Sequence, residues 1–259
     1  MKSPILINRR CAAVALPSFA MTLVSGCSQT PPAPPAASTA ANAAPAWTDK
    51  PVFSIVDIQI HDPKGFGEYV AGHTVTVAQA GGRFLVAGAR AEAIEGSRPA
   101  RNMVVHQWPN ARIFLDWYNS AAYAQWKPKR LAASSANVLL VQGLSDSPPS
   151  PALSPGFTVV DIEVRDGQAF ARYVQGHMES LRAAGGQFLA AGGRIEVIEG
   201  DWTPRRVILH RWPTSKAFRD WYASDAYRPW RDLRHSASSA TVLLAAGLSE
   251  AQKAERKLP

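Results

Sequence analysis

The chain has 259 residues, 46% of them hydrophobic and 19% charged, with a formal charge of +8 and two cysteines. That length allows one large or two small domains. The charge falls to +5 once Lys2, Arg9 and Arg10 are set aside, and the remaining cations are scattered, which argues against a nucleic-acid partner.

Residues 1–26 have the three parts of an export signal: the cations just named, an apolar stretch from Cys11 to Val24, and small residues before Cys27. Val24-Ser25-Gly26-Cys27 resembles a bacterial lipobox, in which the cysteine receives a lipid and becomes the N-terminus. The alternative is an ordinary signal peptide with an incidental cysteine. Ser28 in place of aspartate resembles the outer-membrane sorting pattern, so the expected location is the periplasmic face of the outer membrane, with the lipid anchor as the membrane attachment. With Cys11 in the leader and Cys27 lipidated, the mature domains hold no thiol, disulfide or Cys-ligated metal.

Residues 27–50 read as a Pro/Ala-rich tether. Two stretches of the same pattern follow, 51–145 and 157–249, joined by a Pro/Ser linker at 146–156 and closed by a tail at 250–259. Phe53 to Leu144 aligns without a gap on Phe157 to Leu248, always 104 residues apart and identical at about half of the positions, which marks a tandem duplication.

Within the first copy, Phe53 to Ile60 is rich in β-branched residues and reads as a strand. Asp62-Pro63 then opens a helix, with Phe66, Tyr69, Val70, His73 and Val77 on one face and Gly81-Gly82 at its end. A second strand is predicted from Phe84 to Ile94 and a third from Arg101 to Trp108. Asn110 caps a second helix carrying Phe114, Trp117 and Tyr118. Tyr123 and Trp126 lie in a short piece, and Val138 to Val141 is a fourth strand. The order βαββαβ predicts an α+β fold of two tandem ferredoxin-like units.

One such unit covers a single face of its sheet with helices, so the other face needs a partner. The expected solution is a covalent pseudo-dimer, its sheets paired face to face within one chain. Alternation along the strands places Leu85, Ala87, Ala91, Ala93, Met103 and Val105 against the helices. Asp57, Phe84, Arg90, Glu92, His106 and Trp108 then line an inter-sheet cavity, with Asp161, Arg194, Glu196, His210 and Trp212 from the second copy.

At these residues the sequence resembles the "domain of unknown function 1330" family of the dimeric α/β-barrel superfamily. The matching features are Gly-Gly-x-Phe-Leu at 81–85 and 185–189, Glu-x-x-Glu-Gly at 92–96 and 196–200, Trp202-Thr203-Pro204-Arg205-Arg206, and Trp-Tyr-x-Ser followed by Tyr at 117–123 and 221–227. The resemblance covers most of the mature chain. It implies ferredoxin-like units that pair through their sheets, and no established activity. Related families include cofactor-free monooxygenases, isomerases and haem enzymes, by analogy alone. The first copy departs from the pattern at Arg98-Pro99-Ala100.

Glu92 and Glu196 are the first candidates for catalysis, with a structural ion pair to Arg90 or Arg194 as the alternative. His106 and His210 are candidate general bases or ligands, with satisfied core histidines as the alternative. His73 and His177 sit on the first helix of each copy beside Tyr69 and Tyr173, at a cavity rim or in the core. The Trp117-Tyr118 and Trp221-Tyr222 pairs, with Trp126 and Trp230, either seat the second helix or stack on a ligand. Arg101 and Arg205 bind an anion or pair with Glu95 and Glu199; Arg205 is kept as a candidate ligand residue. No metal-ligand spacing, catalytic-triad context, phosphate loop or dinucleotide fingerprint is present, and no cofactor is expected. Three readings remain: an envelope lipoprotein binding a small molecule between its sheets, a cofactor-independent isomerase or monooxygenase working by Glu/His proton transfer, or a structural module with no ligand.

Overall fold

The computed structural model describes residues 46–99, 101–144, 154–255 and 258. The export signal, Cys27 and most of the tether and linker lie outside the described residues.

The first repeat runs β1 (Val52–Ile60), α1 (Pro63–Gln79), β2 (Arg83–Arg90), β3 (Glu92–Glu95), β4 (Asn102–Trp108), α2 (Ala111–Tyr118), α3 (Ala121–Ala124), α4 (Lys127–Ala133) and β5 (Ser134–Gln142). The second runs β6 (Gly156–Val164), α5 (Gly167–Ala183), β7 (Gln187–Ala191), β8 (Ile195–Glu199), β9 (Val207–Trp212), α6 (Ser215–Ala223), α7 (Arg228–Ala237) and β10 (Ser238–Ala246), followed by α8 (Glu250–Glu255). The helix caps are those the sequence predicts. Asp62 accepts from the Lys64 and Gly65 amides at 3.1 Å, and Asn110 accepts from the Ile113 amide at 3.0 Å, each satisfying donors that the first turn leaves free.

The strands form two five-stranded antiparallel sheets, β2-β4-β1-β5-β8 and β3-β10-β6-β9-β7. The stretch predicted as one strand from Phe84 to Ile94 is therefore two. β2 stays at the edge of its own sheet, whereas β3 crosses to pair with β10 of the second repeat; β8 makes the reciprocal crossing to β5. The turning point is Gly88, with φ +73, and its counterpart Gly192, with φ +66, a region that glycine enters without strain. Register slips flanking Val86 and Ala87 add the local bend expected of β-bulges. The exchange covers the edges of β5 and β10 that would otherwise be open. It is reinforced by Leu144 N donating to Leu189 O at 3.0 Å and Leu248 N to Leu85 O at 2.9 Å.

The space between the sheets is a packed apolar core and not the expected chamber. Phe53, Ile55, Met103, Val105, Leu139 and Val141 meet Phe157, Val159, Val207, Leu209, Leu243 and Ala245 in one buried cluster. The alternation in β4 is as predicted, but its two faces are exchanged: Met103 and Val105 face the other sheet, while His106 and Trp108 lie under their own helices. Both faces of these strands are apolar, so alternation separates the two sets without saying which one the helices cover. Ring stacking decides it. Trp108 meets Phe114 and Trp117 of α2 with centroids 5.4 and 4.7 Å apart, and Trp212 repeats this with Phe218 and Trp221 of α6.

Two segments expected to be solvated are in contact with the fold. Trp47, near the end of the tether, packs on Arg194 and donates to Glu196 Oε2 at 3.3 Å. The tail forms α8 and returns Leu258 against the helix-side core of the first repeat.

Candidate functional site

Each repeat encloses a cavity between its sheet and its helices. The first-repeat cavity holds about 590 Å³ and the second about 600 Å³. Both lie within the range usual for small-molecule sites, roughly 300–1,000 Å³.

In the first repeat the sheet supplies Ser54, Phe84 and His106, α1 supplies Tyr69 and His73, and the following helices supply Trp117, Tyr118, Tyr123 and Arg130. The i,i+4 spacing on α1 stacks the His73 and Tyr69 rings at 4.1 Å. The register of β1 on β4 sets Ser54 opposite His106. Ser54 Oγ accepts from Trp108 Nε1 at 3.0 Å and lies 3.0 Å from His106 Nδ1. We assign the hydroxyl's own proton to a bond with Nδ1, which leaves the imidazole proton on Nε2. That Nε2 is buried and has no partner, and neither has Nη1 of the buried Arg130. Each orphan of this kind costs about 1–3 kcal/mol.

Glu199 enters this cavity from the other repeat. Arg130 Nη2 reaches its two oxygens at 2.5 and 2.8 Å, and the Tyr118 hydroxyl donates to it as well. Burial by itself would favour a neutral Arg130, but Tyr123 and Glu199 outweigh it and hold the guanidinium charged. Burial, with the Glu199 carboxylate, pushes the Tyr118 hydroxyl far above its ordinary range. Burial pushes the His106 imidazole down to about 3 and His73 to about 4, so both rings are neutral at physiological pH.

The second cavity repeats this arrangement. His177 stacks on Tyr173 at 4.3 Å, His210 Nδ1 lies 3.0 Å from Thr158 Oγ1, and Trp212 Nε1 donates to the same oxygen at 3.1 Å. Burial lowers His210 to about 3 and also lowers His177. Arg234 and Tyr222 hold Glu95 from the first repeat. Burial works to raise the Glu95 carboxyl, but Arg234 prevails and holds it below its ordinary value. Unlike Arg130, Arg234 spends both Nη atoms on its carboxylate.

Of the residues singled out from sequence, His106, Trp108, His210 and Trp212 belong to these two helix-side sites rather than to one chamber between the sheets. Asp57 and Asp161 do sit on the inter-sheet side, but engaged: Asp57 by Arg98 at 2.7 Å, Asp161 by Trp202 Nε1 at 2.9 Å and the Arg205 amide at 2.8 Å. Glu92 is half exposed and pairs with Arg219 at 2.5 Å. Glu196 pairs with Arg194 at 3.1 Å, as the structural alternative anticipated. Arg90 is exposed, and Arg205 is an exposed side chain 3.9 Å from Glu163. Crossing of β3 and β8 carries Glu92 and Glu196 to the outside. It also gives Glu95 and Glu199 to Arg234 and Arg130, in place of the expected Arg101 and Arg205. Arg130 and Arg234 were not singled out, although they are identical residues at the 104-residue offset; nothing in their local sequence tells a buried arginine from a solvated one. Among the described residues no three His, Cys, Asp or Glu side chains converge as metal ligands.

The family model described as "Domain of unknown function (DUF1330)" matches residues 51–144 and 155–248. No curated protein sequence matches the chain. Among solved structures, similarity extends to a protein assigned as a monooxygenase from Lactobacillus acidophilus NCFM, at 12% identity and TM-score 0.45, covering 77% of this chain and 98% of that one. A mutant chlorite dismutase from Candidatus Nitrospira defluvii follows at 13% identity and TM-score 0.49, covering 82% and 97%. A heme-binding protein from Thermus thermophilus gives 11% identity and TM-score 0.43, covering 82% and 96%.

Proposed function

The chain belongs to the domain of unknown function 1330 family, whose description names no activity, and we propose from its own cavities that it binds a small molecule. The ligand is mostly apolar, of a size to fit a cavity of about 590 Å³, and carries a hydrogen-bond acceptor such as a carbonyl oxygen. The observation that carries this reading is an aromatic cavity lined by His106 and Arg130, each of which holds a buried donor without a partner, Nε2 and Nη1. A ligand acceptor that reaches either donor relieves an orphan, while the rings supply dispersion and desolvation. Proton-transfer catalysis by these histidines is disfavoured, because an imidazole held near 3 or 4 is a weak base at neutral pH. The residues ahead of Trp47 complete the proposal: an exported protein, anchored by lipid on Cys27 in the cell envelope.

Mass spectrometry of the exported full chain, native beside denatured, tests both parts. The native mass is expected to exceed the denatured mass by a retained ligand. Ala87→Trp, whose new ring fills the first cavity, is expected to reduce that excess. The denatured mass is expected to carry an acyl gain that Cys27→Ser removes. A native mass with no excess, together with no binding of the neutral dye N-phenyl-1-naphthylamine, overturns the ligand reading. A denatured mass with no acyl gain overturns the anchor.

A further inference from the structure

The two cavities share their floors but not their mouths, and we infer that the second-repeat cavity takes anionic apolar molecules while the first takes neutral ones. This rests on the ligand-binding reading above and deepens it.

The deep residues are near-copies: histidine, tryptophan, tyrosine and an Arg–Glu pair recur at the 104-residue offset. The rims have diverged. The second cavity is lined by Arg182, at the end of α5, and Arg206, just before β9. The first repeat has Ala78 and Asn102 at those positions, and Asn102 is engaged with Gly88 O at 2.8 Å. Among the described residues neither Arg182 nor Arg206 forms an ion pair, and the one carboxylate that reaches this cavity, Glu95, is already held by Arg234 and Tyr222. The first cavity has one arginine and one glutamate, already paired with each other.

The placement of Arg206 suits a ligand cation. Its stem lies where a Cβ on Gly192 would meet it at 3.2 Å, and its guanidinium is 5.9 Å from the Phe170 ring. The stem thus covers the wall while the head stays wet at the mouth. Arg182 lies twelve residues further along α5 than Phe170, about 18 Å at 1.5 Å per residue. The apolar chamber therefore has a cation near each end, and its one acid, Glu95, is already paired with Arg234. The matching ligand is an aromatic or alkyl body bearing one carboxylate or sulfonate.

Two dyes of similar shape separate charge from apolarity: anionic 8-anilinonaphthalene-1-sulfonate and neutral N-phenyl-1-naphthylamine. The full chain carrying Cys27→Ser, which cannot be acylated, is titrated with each. The neutral dye is expected to fill two sites, and the sulfonate to favour one. Ala191→Trp is expected to abolish the preferred sulfonate site, and Ala87→Trp to leave it intact. Arg206→Asn, which copies residue 102, is expected to weaken sulfonate binding roughly three- to fivefold with the neutral dye unchanged, the scale of a partly solvated ion pair. Equal sulfonate binding at both cavities, or no change on Arg206→Asn and Arg182→Ala, overturns this inference and leaves the ligand-binding reading standing. Failure of both dyes to bind overturns both.

Discussion

The guanidinium of Arg98 lies 3.9 Å over the ring of Trp202, so equivalent positions of the two repeats stack on each other. Each also donates to the aspartate of its own repeat, Arg98 to Asp57 and Trp202 to Asp161. Arg in one copy and Trp in the other thus share the stacking and each make the hydrogen bond to aspartate. Arg98→Ala is expected to destabilise the fold by about 2 kcal/mol, because Asp57 is left buried with Asn137, 3.5 Å away, as its remaining side-chain donor. Arg98→Trp is expected to lose less than half of that. Urea denaturation midpoints check both, and equal losses would show that the charge matters and the stack does not.

The exchanged strands make Glu95 and Glu199 the sensitive carboxylates and Glu92 and Glu196 the tolerant ones. Removing the Glu95 side chain strands Arg234, which is 3% exposed. Glu95→Ala is therefore expected to cost about 3–5 kcal/mol. Glu92→Gln breaks a half-exposed pair and is expected to cost at most about 1 kcal/mol, with no effect on dye binding. Thermal unfolding of the two variants separates them, and a functional loss on Glu92→Gln would restore it as a catalytic candidate.

The four buried histidines set an acid limit. His73, His106, His177 and His210 all have folded values below the ordinary 6.5. Between that value and about 4 the unfolded chain binds protons that the folded chain refuses, so stability is complete above pH 6.5 and falls as the pH drops. Each histidine contributes a slope of up to about 1.4 kcal/mol per pH unit. Glu95, also depressed, extends the loss to lower pH. Denaturation at fixed pH values from 7 to 4 is expected to show uptake of roughly three protons on unfolding, from His73, His106 and His210, with a further contribution from His177. A flat profile would mean that the imidazoles are protonated in place.

Much of this was legible in the chain itself. The 104-residue repeat, the Asp62 and Asn110 caps and the alternation within β4 are local signals, and local physics realises them. Pairing of two half-covered sheets follows from the same apolar excess. The face turned to the helices was not legible, because Met103 and Val105 are as apolar as Val104 and Trp108. Neither was the crossing of β3, since the bulges that redirect the strand around Gly88 become visible only against β4. The site moved with these two decisions. His106 went under the helices because Ser54 and Trp108 could bond and pack there. Glu95 and Glu199 met buried arginines 139 and 69 residues away. Sequence determined which side chains each strand carries and with what period; tertiary packing alone decided which layer each face would meet, because burial rewards apolar area without regard to what covers it.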